Sequence, residues 1–205
     1  RALVAALAMG VLGAAPAAAQ DFGVMESAET IQRGNFKLVG YPMLVLGEDD
    51  ADNTLGVVVR GGYGFTDRLD LEIGGAFYED VTFLGANAEY WLLRAVPGSS
   101  GLNLSVRGGV HLAQGDDDAA VPDGTGLDLA ALTSVRLSPR AELLAALDYT
   151  HTLRDEPLDD VGTLYLAPGL EYGISRNLDF LAEFGLGLDD GTPNYLSAGL
   201  AFYLR

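Results

Sequence analysis

The stretch Tyr63-Gly-Phe-Thr-Asp-Arg-Leu-Asp-Leu-Glu-Ile-Gly-Gly-Ala-Phe77 decides how the chain folds. Apolar residues or glycine occupy every second position on both sides of Thr66-Asp67-Arg68. Successive side chains of a strand point to opposite faces, so the stretch predicts a hairpin with one apolar face and a turn at those three residues. The pattern recurs around Ser138-Pro139-Arg140 and Ser175-Arg176-Asn177. The chain is therefore predicted to repeat this antiparallel unit.

Charge and cysteine content exclude several classes of function. The chain of 205 residues has 12 Lys and Arg against 29 Asp and Glu, which gives a formal net charge of −17. Nucleic acid is therefore not expected as a partner, because binding it requires a basic surface. The chain contains no cysteine, which excludes disulfides, thiolate metal sites and cysteine nucleophiles. The hydrophobic content of 49% argues against a disordered chain.

The chain divides into three predicted regions. Residues 1–19 have a small apolar run and then small residues before Gln20, which predicts a secretory signal peptide cleaved after Ala19. After it, no run of about eighteen apolar residues predicts a transmembrane helix. Residues 20–34 show no strand alternation and form either a plug at the barrel mouth or, as we favour, a loosely held periplasmic leader. Residues 35–205 form the strand region.

Ten strands are predicted, of the length that crosses a bilayer at a tilt. They cover residues 35–46, 54–65, 69–79, 81–93, 101–113, 126–137, 141–153, 162–174, 178–188 and 195–204. Short turns alternate with longer acidic connections, as in bacterial outer-membrane barrels. The fold class is thus all-β, an antiparallel up-and-down transmembrane β-barrel of about ten strands, with eight or twelve as alternatives. By the same rule the acidic loops face outside, and both termini face the periplasm.

The two faces of the predicted strands differ in charge. One register is apolar in all ten strands and carries no Asp, Glu, Lys or Arg, as expected of a lipid-facing surface where a central arginine costs roughly 2–4 kcal/mol. Aromatic residues near the short-turn ends resemble an interfacial girdle; they are Phe36, Tyr63, Phe65, Tyr90, Tyr172 and Phe202. The opposite register is predicted to face the lumen and carries Lys37, Arg60, Asp70, Glu72, Glu89, Arg107, Asp128, Arg136, Glu142, Asp148, Glu171, Asp179 and Glu183.

The last strand carries a motif known from one family. Ser197, Gly199, Phe202 and Leu204 resemble the C-terminal insertion signal of bacterial outer-membrane barrels, which runs polar, x, Gly, x, x, aromatic, x, hydrophobic. Arg205 departs from the usual aromatic ending. The likeness covers about residues 34–205 and implies a small porin-like outer-membrane protein that is recognised by the barrel-insertion machinery. The motif implies nothing about a substrate.

The lumen charges and the acidic loops leave several functions open. Nine carboxylates against four bases predict either a narrow cation-preferring pore or a salt-bridge network that fills a non-conducting barrel.

The acidic loops either bind divalent cations, lipopolysaccharide or a protein partner, or form a solvated rim; they are Glu48-Asp-Asp-Ala-Asp52, Asp116-Asp-Asp118, Asp155-Glu-Pro-Leu-Asp-Asp160 and Asp189-Asp190. We predict no cofactor and no metal centre.

Histidines offer one weak catalytic candidate. His111 lies on the lumen register and His151 on the outward register, so the two cannot form a dyad. No Ser, His and acidic residue fall together on one rim. His111 with Asp128 or Asp116 is the single candidate for a general base. The sequence therefore predicts no catalytic residues and no enzymatic activity.

Overall fold

Ten antiparallel strands close into a single barrel. The computed structural model describes residues 22–47, 52–96, 101–115, 123–153, 161–189 and 191–204. The strands are β1 (Phe36–Val45), β2 (Thr54–Gly64), β3 (Leu69–Phe77), β4 (Val81–Leu93), β5 (Leu102–Gly115), β6 (Gly124–Ser138), β7 (Ala141–Leu153), β8 (Val161–Gly173), β9 (Leu178–Gly187) and β10 (Tyr195–Leu204). Each strand pairs with its neighbours in sequence, and β1 pairs with β10 to close the ring. The predicted fold class and strand count are confirmed.

Strand ends deviate from the prediction where side chains or turns change the pairing. β3 ends at Phe77, because Tyr78 donates its N–H to the Val81 carbonyl at 2.9 Å and so starts the turn. β5 and β6 each extend two residues further toward their acidic connection, and Asp123 accepts a hydrogen bond from the Gly115 N–H. No helix long and apolar enough to cross a bilayer occurs in the described residues.

The outer wall of the barrel is apolar and exposed. Alternate residues of every strand point outward, such as Leu55, Ile73 and Leu129, whose exposed fractions are 62%, 69% and 57%. So large a contiguous apolar surface is unfavourable in water and typical of a surface in contact with lipid. Closure matters for the same reason, since an open sheet edge in lipid would leave backbone groups unpaired. We refer to this surface as the apolar belt.

The interior of the barrel is filled. Tyr41, Met43, Phe83 and Tyr165 from the wall are almost fully buried inside it. Residues 22–32, called the lumen segment below, lie among them, and Met25 and Ala28 have no exposed surface. The lumen segment therefore lies inside the barrel, as in the plug interpretation, and is more firmly held than the leader that we favoured from the sequence. Among the described residues the segment pairs with no strand; its apolar residues pack inside the ring, and its backbone groups bond to side chains of the wall.

Two predictions cannot be compared with the structure. The predicted signal peptide lies outside the described residues. So do most residues of the acidic loops, although Asp52, Asp123 and Asp189 are described and exposed.

Candidate functional site in the lumen

The lumen segment runs along the barrel from the short-turn end. At that end Gly34 donates its N–H to the Gly64 carbonyl at 2.8 Å, and Gly64 donates to the Asn35 carbonyl at 3.0 Å. Further in, the Ile31 N–H donates to the carboxylate of Asp70 at 2.8 Å. Phe22 lies in the other half of the barrel, with its ring edge-on to Phe83 at 6.5 Å between centroids. The segment therefore fills much of the lumen's length.

Glycines in the wall make room for the lumen segment. A Cβ atom on Gly62 would lie 2.5 Å from Cδ1 of Ile31, and one on Gly85 would lie 2.8 Å from the ring of Phe22. A Cβ atom on Gly64 would meet the backbone of Ile31 and Gln32. An added Cβ at Gly64 would displace the segment's backbone, whereas at Gly62 and Gly85 the end of the Ile31 side chain or the Phe22 ring would have to shift. The segment thus occupies a recess built into β2 and β4.

Glu183 of β9 binds the backbone of the segment. Its two carboxylate oxygens accept hydrogen bonds from the N–H groups of Val24 at 2.9 Å and Met25 at 2.7 Å. The hydroxyl of Tyr195 donates to the same carboxylate at 2.7 Å. Gly23 has a φ of +62° and Met25 a φ of +37°, and successive N–H groups in such a bend converge on an anion. The bend therefore forms a cradle for the Glu183 carboxylate.

Arg60 of β2 binds the segment's carbonyl groups. Its Nη2 atom donates to the carbonyls of Val24 at 2.6 Å and Met25 at 3.1 Å. The guanidinium also lies over the ring of Tyr41, 5.8 Å from its centroid, and the Tyr41 hydroxyl donates to the Phe22 carbonyl. A left-handed conformation at methionine is strained and persists only where its surroundings fix it. Glu183 and Arg60 fix it here.

Glu26 of the lumen segment lies at the centre of a buried ion-pair network. Its carboxylate is 3.0 Å from Arg107, 3.3 Å from Lys37 and 3.8 Å from Arg60. Glu72 also pairs with Lys37 at 3.1 Å and with Arg60 at 3.6 Å. All these side chains are nearly fully buried. Buried charges are tolerated when they are paired, and here one carboxylate of the segment serves three cations of the wall.

A second ion pair lies at the short-turn mouth. Glu29 of the segment is 2.7 Å from Arg136, and both side chains are partly exposed. The amide of Asn103 also donates to Glu29 at 3.1 Å. A cavity of about 660 Å³ opens beside this pair and is lined in part by Glu142, Glu171 and Asp179. These three carboxylates lie apart from the central network.

The structure distributes the thirteen lumen charges that the sequence predicts over five places. Five join the central network, namely Lys37, Arg60, Glu72, Arg107 and Asp148, the last paired with Arg107 at 3.2 Å. Four lie at the short-turn mouth: Arg136, Glu142, Glu171 and Asp179. Asp70 and Glu89 are buried and directly opposite each other on β3 and β4. Glu183 binds the segment backbone, and Asp128 contacts His111.

Sequence reasoning missed the residues that occupy the lumen from within. Glu26 and Glu29 lie in a stretch without alternation, which says nothing about where their carboxylates point. Their partners are four bases on four different strands, and no spacing in the sequence connects them. The one available signal was the surplus of inward glycines such as Gly62 and Gly64, which left space in the lumen to be filled.

His111 forms a closed hydrogen-bond chain. Its Nδ1 atom is 2.8 Å from Asp128 and its Nε2 atom 3.0 Å from the hydroxyl of Thr152. All three residues are buried, and His111 is only 1% exposed. A Cβ atom on Gly126 would overlap the imidazole ring. The arrangement packs the wall between β5, β6 and β7. Asp116, the other acidic candidate, lies outside the described residues.

The residues of the predicted insertion signal lie on the two faces of β10 that the strand alternation predicts. Ser197 is buried and Gly199 lies against Tyr41, while Phe202 and Leu204 are exposed on the outer wall. Recognition of these residues by the barrel-insertion machinery stays a prediction. Within the described ranges, no group of three or more His, Asp or Glu side chains is placed to hold a metal ion.

Known structures share the barrel architecture. An outer-membrane channel from Pseudomonas putida F1 superposes with a TM-score of 0.56 at 11% identity, covering 86% of this chain and 98% of that one. The outer-membrane protein OprG from Pseudomonas aeruginosa gives 0.43 at 12% identity, with 88% and 100% covered. Omp33 from Acinetobacter baumannii gives 0.44 at 10% identity, with 83% and 98% covered.

Sequence comparison adds no closer relationship. No protein-family profile matches the chain, and no curated protein sequence matches it. The likeness in structure, together with the closed ring of ten strands and the apolar belt, shows that the chain has the fold of the bacterial outer-membrane β-barrel proteins.

Proposed function

We propose that the protein is an outer-membrane channel whose lumen is closed by residues 22–32. The observation that carries the proposal is the position of Glu26, a carboxylate of the segment that pairs with Lys37, Arg60 and Arg107 of the wall. The fold shared with an outer-membrane channel supports the location and the class. The short turns would face the periplasm and the acidic connections the outside.

The segment is attached in a way that permits release. It forms no ladder with any strand in the described part of the chain and is bound through side chains of the wall. Such contacts break without disturbing the barrel's own hydrogen bonds. Withdrawal would leave a lumen lined by charged side chains and by the recess at Gly62, Gly64 and Gly85. A polar, recessed wall suits water and ions better than a permanent apolar filling does.

The ion preference of the open barrel would depend on the charged side chains of the wall that remain when the segment leaves. Without the segment, the lumen register keeps nine carboxylates and four bases. An excess of negative charge along a lumen attracts cations. We infer that the open barrel passes cations more readily than anions.

A second candidate is a non-conducting structural or adhesive barrel. The two apolar clusters inside the ring favour it, since they fill space that a pore would need. In this alternative the acidic loops would bind divalent cations, lipopolysaccharide or a protein partner. Both candidates assume membrane lipid as the surroundings and delivery by the barrel-insertion machinery.

Planar-bilayer recording separates the two candidates. The wild-type protein is expected to show rare openings, and a variant that lacks residues 22–32 frequent ones. Reversal potentials in a salt gradient are expected to show cation preference. Deletion of residues 22–32 without any conductance, in a barrel shown to be folded by heat-modifiable gel mobility, would favour the structural candidate. Conductance with anion preference would support the channel function but contradict the inferred preference for cations.

A further inference from the structure

The short-turn end of the barrel carries an exposed arginine at every connection. Arg68 lies between β2 and β3, Arg94 follows β4, Arg140 lies between β6 and β7, and Arg176 between β8 and β9. Arg33 adds a fifth where the lumen segment leaves the barrel. All five side chains are exposed. We call these five residues the arginine ring.

The two ends of the barrel differ in charge. Asp67 is the sole exposed acid among the described residues of the short-turn connections. At the opposite end every exposed charged residue that the structure describes is acidic: Asp52, Glu79, Asp80, Asp123 and Asp189. Five of the chain's 12 basic residues therefore gather at one end of a protein with a net charge of −17. Solubility alone does not require this separation.

The arginine ring takes no part in the lumen ion pairs, although Arg140 and Arg176 also line the cavity at the short-turn mouth. The ion pairs of the described residues involve Lys37, Arg60, Arg107, Arg136 and His111. No member of the ring forms an ion pair within the described ranges. Arg94 lies over the ring of Trp91, 4.8 Å from its centroid. Trp91 is buried, and the Arg94 side chain is exposed at the rim.

Exposed aromatic side chains mark the depth of the arginine ring. They point outward at the short-turn ends of the strands and comprise Phe36, Tyr63, Phe65, Tyr90, Tyr172 and Phe202. Aromatic girdles lie at the level of the lipid headgroups, at the border of the apolar belt. Arg68 follows Phe65 by three residues, and Arg176 follows Tyr172 by four. Their backbone positions thus lie just beyond the girdle, and the long arginine side chains can reach the level of the phosphate groups from there.

We propose that the arginine ring binds the phosphate groups of anionic phospholipids in the leaflet at the short-turn end. Guanidinium matches phosphate with paired N–H donors. The charge is complementary, and the surface is continuous with the apolar belt that already contacts the lipid. This binding would retain a shell of anionic lipid around one end of the barrel. It does not depend on whether the lumen conducts.

Electron spin resonance with spin-labelled lipids tests the proposal. The protein is reconstituted in phosphatidylcholine vesicles that contain spin-labelled phosphatidylglycerol or spin-labelled phosphatidylcholine. The wild-type barrel is expected to prefer phosphatidylglycerol by roughly five-fold, the effect of one arginine near a membrane surface. The triple variant R68Q/R140Q/R176Q is expected to reduce the preference by at least half, and R68K/R140K/R176K to keep most of it.

A matched control changes three charges at the other end. The variant D52N/E79Q/D80N is expected to retain the wild-type lipid preference, and heat-modifiable gel mobility checks that every variant is folded. Equal association of both lipids with the wild-type barrel would overturn the proposal, as would an unchanged preference in the glutamine variant. If lipid preference is absent but a polyglutamate peptide binds the wild type and not the glutamine variant, the ring serves an acidic protein instead.

Discussion

The Oε1 atom of Glu26 lies 3.0 Å from Nη1 of Arg107, so a carboxylate of the lumen segment pairs with a guanidinium of β5 inside the barrel. Arg107 also pairs with Asp148 of β7 at 3.2 Å. The wall can therefore partly neutralise its own cation when the segment leaves. In the proposed channel, this relationship would make closure strong and yet reversible.

Replacement of Glu26 by glutamine should open the barrel. The change leaves Arg60, Arg107 and Lys37 without one of their carboxylates, and loss of one partner of a buried pair costs about 3–5 kcal/mol. We expect more frequent openings in planar bilayers. E79Q, which removes one exposed carboxylate at the other end, is the matched control and should behave like wild type. Identical open probabilities for E26Q and wild type would show that Glu26 does not close the lumen.

A methyl group at position 64 should displace the lumen segment. A Cβ atom there would overlap the backbone of Ile31 and Gln32, so the segment would have to move. Gly61, three residues away on the same strand, has nothing within 4 Å of its Cβ position. In G64A, a cysteine placed at Ala28 should react faster with a water-soluble maleimide than in the A28C parent. G61A should leave the rate unchanged, and equal rates in all three would contradict the recess.

A charge at the centre of the apolar belt should prevent stable insertion. Ile73, at the middle of β3, is 69% exposed, and Val96, beyond the end of β4, is 70% exposed. Arginine costs roughly 2–4 kcal/mol at the bilayer midplane and about 0–1 kcal/mol near the interface. Unfolding in lipid vesicles should therefore show I73R strongly destabilised and V96R nearly neutral. Equal effects would mean that Ile73 does not face the bilayer core.

A methyl group on Gly126 should break the His111 chain. The added Cβ atom would overlap the imidazole and push it from Asp128 and Thr152. Buried polar groups left without partners cost about 1–3 kcal/mol each. Chemical unfolding in detergent micelles should show G126A destabilised by at least about 2 kcal/mol. G108A, whose added methyl group makes ordinary contacts at 3.7 Å, should stay close to wild type.

Alternation predicted the barrel because each strand has two different environments. Residues such as Leu55 and Arg60 lie on opposite faces, and a period of two carries that information locally. The lumen segment has no such period. Val24 and Met25 are held through backbone groups, which every residue possesses, so their binding to Glu183 leaves no mark in the sequence.

Strand ends were less predictable for a related reason. Tyr78 continues the alternation of β3 in sequence, yet its N–H bonds to Val81 and begins the turn. Glycines on the inward register likewise indicated that the lumen has space, but they did not indicate which residues fill it. The spaces at Gly56, Gly185 and Gly199 are occupied by tyrosine side chains of the wall, and those at Gly62 and Gly64 by the lumen segment.

Closure by the lumen segment is tested most directly by a reversible disulfide between the segment and the wall. Ala28 and Ala146 lie in one buried cluster, and the chain has no cysteine of its own, so A28C/A146C adds a single pair. Single-channel recording should show no openings after oxidation and restored openings after reduction. The openings of the single variant A146C should be unchanged by either treatment. Openings that persist with the disulfide formed would contradict closure of the lumen by residues 22–32.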